Sequence, residues 1–164
     1  MAFDGYLQID GIKGESQEDK HKDWIEIRSY HHAVTQPTSS TRSSSGGATT
    51  GTSQHGDILI SKYVDLASPL LAQACSTGKH FKKAVIEMFR QSGDSKVKYL
   101  TVNLEELIIS TVQTATDKND AELHLESVGL NYGKIEWVYT QQKRADGSTG
   151  GNTSGKYDLT AQKA

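Results

Sequence analysis

Six histidines are the side chains of this sequence best suited to binding a metal ion. His31 and His32 are adjacent, so on a β-strand they point to opposite faces and do not easily share one ion. The other four lack the paired spacing of a zinc site, and no cysteine stands at zinc-site spacing from any of them. We therefore interpret the histidines as surface or interface residues, and we predict no metal site and no cofactor. The four are His21, His55, His80 and His124.

A hydrolytic triad can be assembled only on paper, for example from Ser68, His80 and Asp65. The sequence contains no Gly-x-Ser-x-Gly nucleophile elbow, and Ser68 is better explained as a helix cap. Cys75 lies on the apolar face of the same predicted helix, where a cysteine behaves as a small, inert hydrophobic residue. We predict no catalytic residues and no enzymatic activity.

The charge pattern argues against nucleic-acid binding, and the distribution of apolar residues argues against membrane insertion. The 164 residues carry a formal net charge of -2, and acidic residues are interspersed among the tyrosines and tryptophans that could stack on bases. No apolar run is long enough to span a bilayer. The segment Met1–Gly5 lacks the basic and apolar regions of a secretory signal. We expect synthesis in the cytoplasm and, if the protein is exported, export without a cleaved signal peptide.

Alternating apolar residues predict that most of the chain is β-structure within one domain, residues 1–164. Ile25 and Ile27 alternate with the polar residues Glu26 and Arg28, and Ile58 and Ile60 alternate with Leu59 and Ser61. The segment 84–89 carries apolar residues on both faces, which indicates that its outer face meets a helix or another subunit. The residues thus predict a mainly β fold, an antiparallel barrel or sandwich, with one short α-helix and a long polar loop.

The helix is predicted from Ser68, as N-cap, with Pro69 at the first helical position and Gly78 as its stop. Leu70, Leu71, Ala74 and Cys75 form one apolar face of this helix. Two segments resist secondary structure: an extended loop over 35–56 and a flexible loop over 145–155. Loops as long as the first are functional or disordered.

Several segments of the chain resemble those of a known protein family. The following segments, in this order and spacing, resemble those of haemolysin-coregulated proteins of bacterial type VI secretion systems: Gly11–Ser16 with His21 and Trp24–Ile25, Ser61–Asp65, Ala67–Leu71, Ala74–Cys75, Gly78–His80, Leu130–Ile135 with Tyr139, and Gly155–Leu159. The similarity extends from Phe3 to Leu159. Many family members have Trp where this chain has Tyr157.

The resemblance implies a hexameric ring with a wide lumen, built from a small β-barrel with a helix at its flank. Such rings stack into a tube inside a contractile sheath, and a spike protein caps the tube. Contraction expels the tube toward a target cell, with small effector proteins carried in the lumen. The implied partners are therefore further copies of the chain, the spike, the sheath and small effectors, and the implied destination is outside the producing cell.

The same resemblance assigns roles to two groups of residues. The extended loop is expected to touch the next ring, and Ser29 and His31, which share a strand face, are expected to line the lumen. The candidate stacking residues are Thr38, Ser39, Ser40, Thr41, Arg42, Ser43, Ser44, Ser45, Gly46 and Gly47.

Two alternatives remain at this stage. One is a monomeric β-barrel binding module, similar to a lectin or adhesin. The other is a ring subunit fused to an enzyme, which requires a further domain after about residue 160. The mass of the protein in solution separates the monomeric module from the ring.

Overall fold

The chain folds as a mainly antiparallel β-structure, which confirms the predicted fold class. A computed structural model describes residues 3–38, 51–115 and 124–164. Within these ranges there are eleven strands and one helix: β1 (Asp4–Ile9), β2 (Ile25–Ile27), β3 (Ser29–His31), β4 (Val34–Thr35), β5 (Gln54–His55), β6 (Ile58–Tyr63), α1 (Ser68–Thr77), β7 (His80–Ser92), β8 (Ser95–Ala115), β9 (Leu125–Asn131), β10 (Lys134–Gln142) and β11 (Thr149–Asp158).

Nine of these strands form one sheet that curls back on itself. Its order is β2-β1-β7-β8-β9-β6-β3, and β10 joins through β8 and carries β11 on its other side. The strands at the two ends of this order, β2 and β3, are consecutive in the chain and are separated only by Arg28. The Arg28 N–H donates to the Ser61 carbonyl at 2.7 Å. The sheet therefore curls into a barrel-like shape without closing into a true barrel, since β2 and β3 follow each other end to end instead of pairing side by side.

Strand β8 is 21 residues long and belongs to two parts of the sheet. Its first half lies between β7 and β10, and its second half pairs with β9. The change occurs at Glu106, whose φ of 57° lies in the left-handed region. There the Gly133 N–H donates to the Glu105 and Glu106 carbonyls at 3.0 and 3.1 Å, as the chain passes from β9 to β10. This irregularity lets one strand serve both parts of the barrel.

The core consists of the alternating apolar residues that the sequence pattern predicts. Ile58 and Ile60 on β6 are buried, and so are Ile86 and Met88 on β7. Phe89, on the outer face of β7, is covered within the same chain, because the rings of Tyr6 and His21 contact it at 5.8 and 5.0 Å between centroids. An apolar residue on the second face of this strand therefore does not by itself indicate contact with another subunit.

The helix spans Ser68–Thr77 and ends, as predicted, at Gly78, which adopts the left-handed conformation with φ of 64°. The predicted N-cap is wrong: Ala67 holds that position, and Ser68 is buried in the first turn. The predicted apolar face is also too wide, since Leu71 and Ala74 are buried whereas Leu70 is 43% exposed. Cys75 is half-buried.

The prediction of a flexible loop over 145–155 is wrong for residues 149–155. These residues belong to β11, which pairs with β10 so that Gly155 lies opposite Trp137 and Thr153 opposite Tyr139. The segment consists of Gly, Ser, Thr and Asn, and it forms an edge strand because ladder hydrogen bonds come from the backbone and not from side chains. Strand propensity is a weak guide where a partner strand is present.

The Ser68 hydroxyl does not cap the helix. It belongs instead to a buried ionic network. The Lys62 ammonium is fully buried and donates to Glu126 Oε2 at 2.8 Å and to Asp65 Oδ1 at 2.7 Å. The Ser68 hydroxyl lies 3.0 Å from Lys62 Nζ and donates to Glu126 Oε2 at 2.7 Å. The network joins β6, β9 and the start of α1, so it sets the position of the helix on the sheet.

Replacement of Lys62 by Met is expected to lower the free energy of unfolding by about 3–5 kcal/mol, because it leaves the carboxylates of Glu126 and Asp65 without their cation. Denaturation in urea at one protein concentration measures the change. Lys82→Met, at an exposed position of β7, is the matched control and should stay within about 0.5 kcal/mol of the native chain. Equal effects of the two substitutions would show that the network does not stabilise the fold.

Candidate assembly surfaces

Two adjacent rows on one outer face of the barrel carry only uncharged or histidine side chains. Strand register aligns His31, Leu59, Gly129 and Thr111 in one row across β3, β6, β9 and β8. The next row contains Ser29, Ser61, Ser127 and Gln113. We call these eight residues the small polar face. Both lumen candidates, Ser29 and His31, lie on it and are exposed, and Ser29 Oγ lies 2.6 Å from Ser61 Oγ.

Close packing keeps the small polar face smooth at its centre. A Cβ atom added to Gly129 would lie 2.6 Å from Thr111 Cγ2 and 2.7 Å from Ser110 Oγ. No side chain fits at that position without displacing its neighbours. Leu59, which is 40% exposed, is the largest apolar group of this face.

The outer face formed by β7, β8, β10 and β11 is different. One row contains Lys83, Glu105, Lys134 and Asp158. Lys134 Nζ lies 3.9 Å from a carboxylate oxygen of Glu105 and 3.9 Å from one of Asp158. These pairs are solvent-exposed and contribute little to stability. The two faces therefore differ in charge, although both belong to one sheet and cover one core.

Exposed apolar residues gather where β6 runs into the helix. Val64, Leu66, Leu70 and Leu125 are 44%, 65%, 43% and 40% exposed; we call them the apolar corner. Leu125 belongs to this group because β9 pairs with β6, and the pairing places Leu125 opposite Tyr63. The Leu66 N–H donates to Glu15 Oε1 at 3.2 Å, which fixes the turn that presents this side chain. Apolar groups that cluster on a surface indicate a site of association.

The predicted extended loop starts and ends in a short hairpin. Val34 of β4 lies opposite His55 of β5, and Thr35 lies opposite Gln54. The Gly51 N–H donates to the Pro37 carbonyl at 3.1 Å. Thr38 is exposed. The other stacking candidates lie outside the described residues: Ser39, Ser40, Thr41, Arg42, Ser43, Ser44, Ser45, Gly46 and Gly47.

Two histidines and a tyrosine meet at the base of this hairpin. His32 Nε2 lies 2.6 Å from the Tyr132 hydroxyl, and His55 Nδ1 lies 2.9 Å from the same oxygen. The His55 ring stacks on Tyr157 at 5.0 Å between centroids, and Trp137 lies 6.3 Å from it. We call these five residues the histidine–tyrosine cluster. Sequence spacing gives no signal of it, because Tyr132 is 100 residues from His32.

Burial governs the protonation of this cluster. It lowers the pKa of His32, and the neighbouring His55 and His31 lower it further, while a hydrogen bond with the Gly56 backbone opposes them. Burial also lowers the pKa of His55. Burial raises the pKa of the Tyr132 hydroxyl and raises that of Tyr30 to about 12. At neutral pH both imidazoles are therefore neutral and both phenols keep their protons.

His21 corrects the interpretation of the histidines as surface residues. It is buried, contacts the Glu18 carboxylate through Nδ1, and lies 2.7 Å from Glu87 Oε2 through Nε2. Its ring stacks on Tyr6 at 4.4 Å. The hydrogen bond with His21 lowers the pKa of Glu18. Burial by itself raises the pKa of Glu87, but hydrogen bonds with His21 and Lys98 outweigh it and lower that pKa. These contacts attach the segment before β2 to β7.

Neither a metal centre nor a membrane-spanning helix is seen in the part of the chain that the structure describes. There, no three His, Cys, Asp or Glu side chains come close enough together to hold an ion. The helix found there is too short and too polar to cross a bilayer.

Comparison with known proteins gives consistent matches. The sequence model of a family described as "Type VI secretion system effector, Hcp" matches residues 6–139. Protein hcp1 of Pseudomonas aeruginosa is 33% identical over 151 residues, which cover 92% of this chain and 91% of the relative. The major exported protein of the same organism is 30% identical over 159 residues, with coverage of 85% and 90%. A solved structure of a type six secretion system protein superimposes with a TM-score of 0.91 at 28% identity, over 99% of both chains.

Proposed function

Since the chain belongs to the Hcp family of type VI secretion system proteins, we propose that it forms hexameric rings that stack into the tube of such a system. The family consists of secreted structural proteins, and the chain is a protein of this kind and not an enzyme. In the proposed assembly a contractile sheath surrounds the tube, a spike protein caps it, and small effectors occupy its lumen. The observation that carries the proposal is the small polar face.

The small polar face suits the wall of a channel through which other proteins must pass. Its eight residues include no Lys, Arg, Asp or Glu, so it does not hold a passenger by strong ionic attraction. Gly129 and the serines leave no deep apolar pocket. Ser29 and His31 are proposed to line the lumen together with Ser61, Ser127 and Gln113, and the charged face is proposed to lie on the outside of the tube.

The apolar corner suits the contact between neighbours in a ring. A closed ring repeats one heterologous interface, in which a patch on one subunit contacts a different patch on the next. Leu66 is the most exposed apolar residue of the corner, and the adjoining network around Lys62 holds the helix that carries Leu70. We therefore propose that the apolar corner packs against the adjacent subunit.

Leu66→Glu is expected to break the ring, because it places a carboxylate in an apolar contact. Light scattering after size exclusion should give about six chain masses for the native protein and a smaller assembly for the variant. Leu59→Glu adds the same charge on the small polar face and should leave the ring intact. Circular dichroism checks that both variants fold. A native protein that runs as a monomer would exclude the ring and favour a monomeric binding module similar to a lectin or adhesin.

The position of the small polar face can be tested by cysteine labelling. In a Cys75→Ala background, Gln113→Cys places a thiol on this face, and Lys83→Cys places one on the charged face. In isolated rings both thiols should react with a bulky maleimide polymer. In assembled tubes the Gln113→Cys thiol should be protected and the Lys83→Cys thiol should react as before. Protection of the Lys83→Cys thiol instead would place the charged face in the lumen.

The extended loop is proposed to make the contact between rings, through the ten candidates from Thr38 to Gly47. Replacing residues 39–50 by a link of about four Gly and Ser residues retains β4 and β5 and changes loop-closure entropy only slightly. We expect shortened rings of native mass that no longer stack into tubes and are not exported by an otherwise working apparatus. Electron microscopy and a secretion assay measure the two effects.

As a matched control, residues 39–50 are replaced by a segment that has the same length and composition but a scrambled order. Normal stacking of the shortened rings would show that the loop is not the contact between rings. Collapse of the shortened protein to monomers would place the loop in the interface within a ring.

A further inference from the structure

The histidine–tyrosine cluster joins the loop hairpin to the barrel through one hydroxyl group. His32 directly precedes the hairpin and His55 lies in β5, so they stand on its two sides. Tyr132 is buried in the barrel between β9 and β10. Its hydroxyl oxygen lies 2.6 Å from His32 Nε2 and 2.9 Å from His55 Nδ1. Contacts on both sides of the hairpin therefore depend on one phenol.

The two contacts are fully paired within the cluster only when at least one imidazole is neutral. The phenol has one proton to donate, and its oxygen accepts from an N–H. One ring then donates to the oxygen while the other accepts the hydroxyl proton through an unprotonated nitrogen. When both rings are protonated, both can only donate, and the phenol proton has no acceptor among them. Double protonation therefore weakens the arrangement, because it leaves the phenol proton unpaired in the cluster and places two cations beside the same oxygen.

No carboxylate pairs with the ring of His32 or His55 in the described ranges, so added positive charge is not neutralised by direct contact. The His32 and His55 centroids lie 6.4 Å apart, so two imidazolium groups would repel each other. His31 on β3 adds a third imidazole nearby, and Lys156 of β11 lines the same cleft as His55. Burial raises the pKa of Tyr30 to about 12, so this phenol stays neutral. The nearby carboxylate of Asp57 is held by the Ser110 hydroxyl at 2.6 Å and the Asn131 amide at 2.8 Å.

We propose that His32, His55 and Tyr132 form a proton-operated latch, which holds the β4–β5 hairpin on the barrel at neutral pH and releases it on acidification. Both histidines have a pKa below the ordinary value of 6.5 while the latch is closed. The open state therefore binds more protons than the closed state between that lowered pKa and 6.5. The latch is fully stable above pH 6.5 and loses stability as the pH falls from 6.5 through the lowered pKa.

The most direct test is amide hydrogen exchange as a function of pH. Protection factors, corrected for the intrinsic pH dependence of exchange, are measured for the hairpin amides and for the β1–β7 ladder. Gly56 is a suitable reporter, because its N–H donates to the Ala33 carbonyl at 2.9 Å across the hairpin. Between about pH 8 and pH 5 we expect hairpin protection to fall by roughly tenfold while the β1–β7 ladder keeps its protection.

Three variants separate the latch from a general effect of acid. Tyr132→Phe removes the shared hydroxyl, so hairpin protection should already be low at neutral pH and should vary little with pH. The double variant His32→Gln, His55→Gln removes both titrating groups, and its hairpin protection should not depend on pH. His80→Gln changes an exposed histidine at the start of β7 and should keep the native response. The β1–β7 ladder shows in each case whether the barrel is folded.

Trp137 provides an independent signal, because its ring lies 6.0 Å from His32 and 6.3 Å from His55. The chain has two tryptophans, so Trp24→Phe isolates its emission. An imidazolium against an indole alters that emission, and we expect one transition with a midpoint below pH 6.5. A hairpin protection that stays constant with pH, or that falls equally in the double variant, would overturn the latch.

The latch does not depend on the proposed ring or tube. If the loop also makes the contact between rings, acidification should shorten tubes in step with the loss of hairpin protection. Tubes that persist after the hairpin has lost its protection would count against the proposed stacking role and leave the latch intact.

Discussion

A single buried ammonium group, that of Lys62, fixes the relation between the sheet and its helix. It joins β6 to Glu126 of β9 and to Ser68 at the start of α1. Such a charge is tolerated in the core only because carboxylates and a hydroxyl surround it. Val64 and Leu66 of the apolar corner lie between Lys62 and Ser68 in the chain, so the network fixes both ends of the segment that carries them. The helix is ten residues long, too short to be stable without such anchoring.

The second constraint is the two-residue period of β-strands. Each strand gives one side to the core and the other to the surface, so the outer faces can differ in chemistry at no cost to packing. Strand β8 illustrates this: its first half exposes Glu105 on the charged face, and its second half exposes Gln113 on the small polar face. The irregularity at Glu106 separates the two halves. One barrel thus presents two different surfaces, as a tube with an inside and an outside requires.

The buried and half-buried histidines have two kinds of neighbour, and pKa values shift differently in the two cases. His21 sits between Glu18 and Glu87, and its contacts lower the pKa of both carboxyls. His32 and His55 share a phenol, and burial lowers their own pKa values because no carboxylate pairs with either ring in the described ranges. The first arrangement attaches the segment before β2 to β7. The second depends on pH across a range in which histidine ordinarily titrates.

The sequence by itself determined the β class, the helix and its end at Gly78, because strand alternation and helix stops are local properties. The order and spacing of its characteristic segments also identified the family. Only the tertiary structure decided the role of Ser68, the strand over residues 149–155 and the burial of His21. Each depends on a partner that is distant in the chain: Glu126 for Ser68, the paired strand β10, and Glu87 for His21. The alignment of Ser29 and His31 with β6, β9 and β8 has the same origin, since pairing between strands is a property of the folded chain and not of local spacing.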